Sequence, residues 1–147
     1  CELCRILMES KTFSSQKSGR TFDFRVGRLH CNSTGVVYLL ECKTCGLQYV
    51  GSSWPRFRSR VNNYKTQQRK YVERRDKGTL HIGTPQPQAD LHAHFSQNDH
   101  RGIEDFSFKL IDQGKSFAHM RDRESFWQHK LEVLSDGLNT RDVPARW

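Results

Sequence analysis

The residues best suited to chemistry in this chain begin with its thiols. Five cysteines are present, Cys1, Cys4, Cys31, Cys42 and Cys45. Two pairs have CxxC spacing, Cys1-Glu-Leu-Cys4 and Cys42-Lys-Thr-Cys45. An odd number of cysteines, many histidines and no visible signal peptide favour metal binding in a reducing compartment over disulfides. Histidines His92, His94 and His100 follow downstream. Two thiolates with two imidazoles make a closed tetrahedral zinc site of the structural kind. A thioredoxin-like redox role would instead need Cys42 to open a helix after a strand.

The second chemical signal is charge. Lys and Arg number 24 against 16 acidic residues, for a formal net charge of +8. A surplus of that size suits a polyanion, with nucleic acid the first candidate and solubility the plain alternative. The stretch from Arg56 to Arg75 holds eight Lys or Arg and a single acid, Glu73. Hydrophobic residues are only 35% of the chain, so the core must be modest and metal bonds would matter to stability. No apolar run approaches the ~18 residues that span a bilayer. The chain starts at Cys1 rather than Met, as expected of a piece of something longer.

The elements that must position these residues read as follows. Residues 1–20 are polar and weakly structured. Thr21 to Val26 alternates polar and apolar, a strand signal. Gly35 to Cys42 is a buried-strand run, Lys43-Thr44-Cys45-Gly46 a turn with Gly46 free to take positive φ, and Leu47 to Gly51 the return strand. With Ser52 and Ser53 as N-caps and Pro55 tolerated at the start, a helix runs from about Trp54 to about Tyr71. Phe57, Val61 and Tyr64 give it a core face. A loop covers Gly78 to Gln88, a short helix Ala89 to Gln97, and a third strand Phe106 to Ile111. The last helix spans Ser116 to Leu134, with Phe117, Met120, Phe126 and Leu131 among its apolar positions, and Asp136 to Asn139 is a turn. The order predicts a small α+β domain, a mainly antiparallel three-stranded sheet flanked by helices, over residues 31–147, preceded by a Cys-containing extension over residues 1–30.

Gly35-Val36-Val37-Tyr38 is followed, after ten residues, by Tyr49-Val50-Gly51. Arg60 and Tyr64 come next, then Glu124 within Arg123-Glu124-Ser125-Phe126-Trp127, then Gly137-Leu138-Asn139. This series resembles the GIY-YIG endonucleases in type, order and spacing over about residues 31–140. Cys42-x-x-Cys45 between the signature halves, with later histidines, is most similar to the zinc-containing endonuclease of Penelope-like retroelements. The first triplet departs from the pattern as Val-Val-Tyr, and Ser52-Ser53 stands where many members carry an acidic residue and Thr.

The resemblance implies a DNA endonuclease with Tyr38, Tyr49, Arg60, Tyr64, Glu124 and Asn139 as its catalytic set. Glu124 is a hard oxygen ligand for Mg²⁺, or Mn²⁺ in its place. Arg60 offers a planar fork of donors to a phosphate. Tyr38 or Tyr49 would position or deprotonate the attacking water. A base role needs a phenol pKa depressed by nearby positive charge, and the sequence does not choose between the two. Tyr64 shares its face with Phe57 and Val61, so packing competes with catalysis there. Asn139 would hold Glu124 or the substrate, or simply end a helix. Zinc would be held by Cys42, Cys45, His94 and His100, with His92 competing. The gap from Cys45 to His94 is far longer than in a DNA-reading finger, so this metal is a staple pinning the hairpin turn to the helix near residue 94. Cys1, Cys4 and Cys31, with His30, offer a second set.

Arg56, Arg58, Lys65, Arg69 and Lys70 would track the phosphate backbone. The further implication is nicking of target DNA in the nucleus to prime reverse transcription. The reverse transcriptase region would belong to the same polypeptide, upstream of Cys1, with the element RNA as another partner and no membrane. The alternative from another class is a zinc-stabilised DNA-binding module that has lost catalysis.

Overall fold

The computed structural model describes Leu7 and residues 12–24, 29–84, 86 and 88–136. At its centre is a strand buried on both faces, β3 (Val36–Cys42). It pairs antiparallel with β4 (Gln48–Ser53) on one side and β5 (Phe106–Gln113) on the other, giving the order β4-β3-β5. Because successive side chains alternate, Val36, Tyr38, Leu40 and Cys42 meet one cluster, while Val37 and Leu39 meet another. Two covered faces explain why Val36 to Leu40 reads as an unbroken apolar-and-tyrosine run.

Helix α1 (Phe57–Asp76) and the short α2 (Ala89–Phe95) cover the first face, burying Phe57, Val61, Tyr64, Leu91 and Phe95. Helix α3 (Phe117–Lys130) and a single turn, α4 (Val133–Asp136), cover the second with Met120, Trp127, Leu131 and Val133. A short two-stranded ribbon, β1 (Thr12–Ser14) with β2 (Thr21–Asp23), lies on that second face. The chain is therefore α+β with small antiparallel sheets, as expected from the order of its elements.

The ribbon differs from the expectation of a weakly structured start. Phe13 is 1% exposed and packs its ring 5.1 Å from that of Trp127. Ser15 donates to the Leu131 carbonyl, and the buried Gln48 amide exchanges hydrogen bonds with Ser14 and Gln16. Residues 12–24, placed in the extension by sequence, thus contribute to the second core. Arg25 and Val26, expected to continue the strand, lie outside the described residues.

The start of α1 also departs from the sequence reading. Ser52 and Ser53 are not its caps; they pair with Val37 and Val36 in the β-ladder, and the N-cap is Arg56. The first helical donors are satisfied from a distance: Phe57 N–H donates to the Ser33 carbonyl and Arg58 N–H to that of Cys31. In α3, Ser116 does act as the cap, its hydroxyl accepting from the His119 N–H. The buried stripe of this helix runs through Met120, Glu124, Trp127 and Gln128. Phe117 and Phe126, expected among its apolar positions, are 47% and 42% exposed.

One irregularity bears on the site. Between Val37 and Tyr38 the register with β5 shifts, so Val37 faces Asp112 while Tyr38 faces Leu110. Ile111 is the extra residue of a bulge. It lets both Ile111 and Asp112 serve the α3 side, where Asp112 accepts from Trp127 Nε1 and Arg123 Nε.

Candidate functional site

The metal-type cluster forms at the far end of the hairpin. Cys42 ends β3, Cys45 lies in the following turn with Gly46 at φ +78°, His94 lies on α2, and His100 in the loop after it. One donor atom from each of Cys42, Cys45, His94 and His100 lies within 4.8 Å of the others. A tetrahedral zinc with bonds of 2.0–2.3 Å sets its donors about 3.3–3.8 Å apart, so a contraction of about 1 Å closes the site. Cys45 Sγ and His94 Nε2 are already 3.3 Å apart.

The protonation pattern fits a metal. His100 Nδ1 is 2.9 Å from Asp99 Oδ1, which holds the proton on that nitrogen. His100 Nε2 is buried and has the Cys45 thiol as its near polar neighbour, as a ligand nitrogen oriented by a carboxylate would. The buried Asp105 ties the two ligand-bearing segments together. It accepts from the Thr44 hydroxyl on the turn and from the Arg101 N–H and guanidinium next to His100. Burial alone would raise its carboxyl, but these hydrogen bonds prevail and hold it below the ordinary value.

His92 does not belong to this cluster. It is 1% exposed, and its Nδ1 lies 2.6 Å from Gln68 Oε1 on α1. Gln68 Nε2 donates to the His92 carbonyl and the Ser96 hydroxyl, so its oxygen is the acceptor and His92 Nδ1 carries the proton. Burial pushes the His92 pKa down to about 4. Cys42 and Cys45 are free thiols in a hairpin turn rather than at the start of a helix, which does not match the geometry of a thioredoxin-like pair. Of the second set, Cys1 and Cys4 lie outside the described residues. Cys31 is buried, with an Arg58 guanidinium nitrogen 3.1 Å from its sulfur, and His30 is exposed.

A second constellation gathers at the edge strand β4. Tyr38 of β3 and Tyr64 of α1 share a hydrogen bond of 2.6 Å between their hydroxyls. The Tyr49 ring stands 6.4 Å from each of them, and its hydroxyl accepts from Gln88 Nε2. Gln88 sits in the left-handed region at φ +55°, a strained backbone that holds its side chain at the tyrosines. Gly51 separates this trio from α3. A Cβ there would come within 2.5 Å of the Tyr38 hydroxyl and 2.8 Å of the Tyr49 ring, so only glycine lets both phenols reach the strand edge.

On the other side of β4, Glu124 is 4% exposed and accepts hydrogen bonds from the Ser52 hydroxyl and N–H. Its Oε2 is buried with no hydrogen-bond partner, 3.6 Å from the Arg121 guanidinium. Burial raises the Glu124 carboxyl, against the opposing pull of Arg121, Ser52 and Arg60. Arg60 is half-buried one turn before Tyr64, close enough to act on Glu124, Tyr38 and Tyr49. Burial raises all three phenols well above their ordinary value, with neighbouring tyrosines adding to it and Arg60 opposing it at Tyr38 and Tyr49. They are neutral at neutral pH, so the depressed phenol that a base role needs is not a property of the protein alone.

Five of the six expected catalytic residues therefore converge: Tyr38, Tyr49, Arg60, Tyr64 and Glu124. Asn139 lies outside the described residues. Nothing in the sequence marks Ser52 as a partner of the carboxylate; only the β4 register and the packing of α3 reveal it. Gln88 falls at the end of the expected loop and carries no signal of its own. Of the basic residues on and before α1, Arg56, Arg58, Arg69 and Lys70 are exposed and Lys65 is half-buried. Compared with known protein families, characterised proteins and solved structures, the chain matches none. No helix among the described residues is long and apolar enough to cross a membrane.

Proposed function

We propose that this chain is a metal-dependent DNA endonuclease of GIY-YIG type, stapled by zinc, that nicks its target. The observation that carries the reading is the Glu124 carboxylate: buried, with one oxygen that accepts no hydrogen bond and faces Arg121 at 3.6 Å, near Arg60 and a trio of tyrosines. A buried ion pair is weak evidence for stability, and a carboxyl perturbed by burial beside specific charge partners is a functional-site candidate. A divalent ion such as Mg²⁺, or Mn²⁺, held by Glu124 would neutralise phosphate charge and acidify a bound water.

The protein's own groups divide the remaining work. Ser52 donates to Glu124, whose Oε2 is left without a hydrogen bond beside the Arg121 guanidinium. Arg60 offers its guanidinium to the scissile phosphate and lowers the cost of charge on the nearby phenols. Tyr38 or Tyr49 would position the attacking water. To take its proton the phenol must first give up its own to solvent, a loss that positive charge from Arg60 and a bound divalent ion would ease, while Tyr64 orients Tyr38 through their shared hydrogen bond. The basic face of α1 supplies sequence-independent hold on the backbone. The Cys42, Cys45, His94 and His100 cluster takes zinc and fixes the hairpin that carries Tyr38 and Tyr49.

In the setting that the resemblance suggests, a Penelope-like retroelement active in the nucleus, the nick would leave a 3′ hydroxyl that primes reverse transcription of the element RNA by another region of the same polypeptide. The test is to nick plasmid with the protein and Mg²⁺, then add a strand-displacing DNA polymerase and labelled nucleotides. Incorporation at the nick is the expected result. Nicks that need phosphatase treatment before extension would contradict the priming role. Binding of DNA with no nick under any divalent ion would favour an inactive zinc-stabilised binding module.

A further inference from the structure

Trp54 and Phe117 are large aromatics that folding leaves in the open. Trp54 is 42% exposed and Phe117 is 47% exposed, yet their rings meet at 6.0 Å in an edge-to-face pair. The exposed Phe126, by contrast, is covered by the Arg123 guanidinium at 4.4 Å from its centroid. The indole rests against Gly35, where a Cβ would come within 3.0 Å of a ring carbon. Two exposed rings held in contact present flat apolar faces on which bases can stack.

Its position relates it to the carboxylate. Trp54 lies two residues beyond Ser52, which bonds Glu124. Phe117, Arg121 and Glu124 are spaced i, i+4, i+7 and form one stripe of α3. Seven residues of helix span about 10 Å, the length of roughly three stacked nucleotides at 3.4 Å each. Between the two ends, the Arg121 Nε is buried without a hydrogen-bond partner. Exposed Arg56 and Lys115 flank the pair, while the nearby Asp112 is already neutralised by Arg123. Aromatic faces among cations recognise unpaired bases on a phosphate backbone, whereas duplex DNA hides its base faces.

We propose that Trp54 and Phe117 form a stacking platform for unpaired bases of a DNA strand lying a few nucleotides from Glu124. The inference deepens the endonuclease reading and rests on it for its meaning, since it makes DNA with a single-stranded segment at the nick site the preferred substrate. Arg121 would then hold the phosphate between the stacked base and the carboxylate.

The test is binding, measured without Mg²⁺ so that cleavage plays no part. Zinc-loaded parent and the Trp54→Ala/Phe117→Ala double variant are titrated, by fluorescence anisotropy, into labelled oligothymidine and a labelled duplex of equal length. The double variant should bind the single strand roughly 10-fold or more weakly and the duplex within about two-fold of the parent. Trp54→Phe, which keeps a ring, should retain most of the single-strand affinity. If the double variant melts early, Phe117→Leu, which keeps apolar volume without a ring, carries the same selective expectation. Equal changes on both DNA forms, or none on either, would overturn the platform. Selective loss in a protein that cuts no DNA would leave the platform standing and remove the endonuclease reading instead.

Discussion

The hydroxyls of Tyr38 and Tyr64 lie 2.6 Å apart, although one belongs to the central strand β3 and the other to the middle of α1. Both are almost wholly buried, so neither can turn to bulk water for a replacement partner. The pair joins the sheet to the helix that carries Arg60.

Removing either hydroxyl therefore has two consequences. Tyr38→Phe leaves the Tyr64 hydroxyl short of a partner and should cost about 1–2 kcal/mol of stability. It should also slow cleavage by about 100-fold or more if Tyr38 handles the water. Tyr64→Phe should cost similar stability and less rate, because it acts through Tyr38. Urea melts and single-turnover rates separate the two effects. A Tyr38→Phe variant that cuts at the parent rate would remove Tyr38 from the mechanism.

Glu124 sets function against stability. Its carboxyl is raised by burial in the native state, so the native chain binds more protons than the unfolded one between the ordinary and the raised value. Native stability contributed by this group is thus present at low pH and falls as pH rises through the raised value. Glu124→Gln removes that charge. Measured without added Mg²⁺, the variant should match the parent at acid pH and become more stable above the raised value, by about 0.5–2 kcal/mol. Urea melts from acid to neutral pH give the comparison; a variant less stable than the parent at neutral pH would mean that the carboxylate is a structural ion-pair partner of Arg121.

The metal cluster and His92 make opposite predictions about zinc. Cys42→Ser and His100→Ala should lose bound zinc and lower the melting temperature, since both remove a ligand. His92→Gln should keep full zinc stoichiometry while losing stability, because it disturbs the buried contacts with Gln68, Tyr64 and Tyr71 and no ligand of the cluster. Metal analysis of the purified proteins with thermal melts checks both. Zinc absent from His92→Gln and retained in His100→Ala would reverse the assignment.

The basic face of α1 predicts a salt-dependent hold on DNA. Arg69→Glu and Lys70→Glu should each weaken duplex binding at every sequence. Neutral counterparts, Arg69→Gln and Lys70→Gln, should lower the slope of log affinity against log salt by roughly 0.9 for each phosphate that is no longer neutralised. Anisotropy titrations at several salt concentrations measure both. Unchanged slopes would mean that this face is only a solvated surface.

Much of this architecture is legible in the sequence where local pattern and tertiary role agree. The run from Val36 to Cys42, the turn at Gly46 and the return to Gly51 are a hairpin by composition alone. Phe57, Val61 and Tyr64 repeat at helical spacing and do face the core. The rest depends on residues distant in sequence. Three-residue strands such as Thr12–Ser14 carry too little periodicity to be seen. Ser52 and Ser53 have the chemistry of caps, but carbonyls of Cys31 and Ser33 do the capping. Trp127 takes the core position expected of Phe126, because the helical stripe through Met120 and Glu124 passes through it. His92 and His94 differ only in which side of α2 they occupy, and the choice of ligand follows from α2 packing on α1. Gln88 and Ser52 reach their partners through a loop and a strand register that composition does not encode.

The most direct measurement is conversion of supercoiled plasmid to open circles by the zinc-loaded protein with Mg²⁺, parent against Glu124→Ala. The parent should nick, and the variant should retain DNA in a gel shift without nicking. Equal nicking by both proteins would contradict a mechanism centred on Glu124, and no nicking by a parent that binds zinc and DNA would contradict the endonuclease itself.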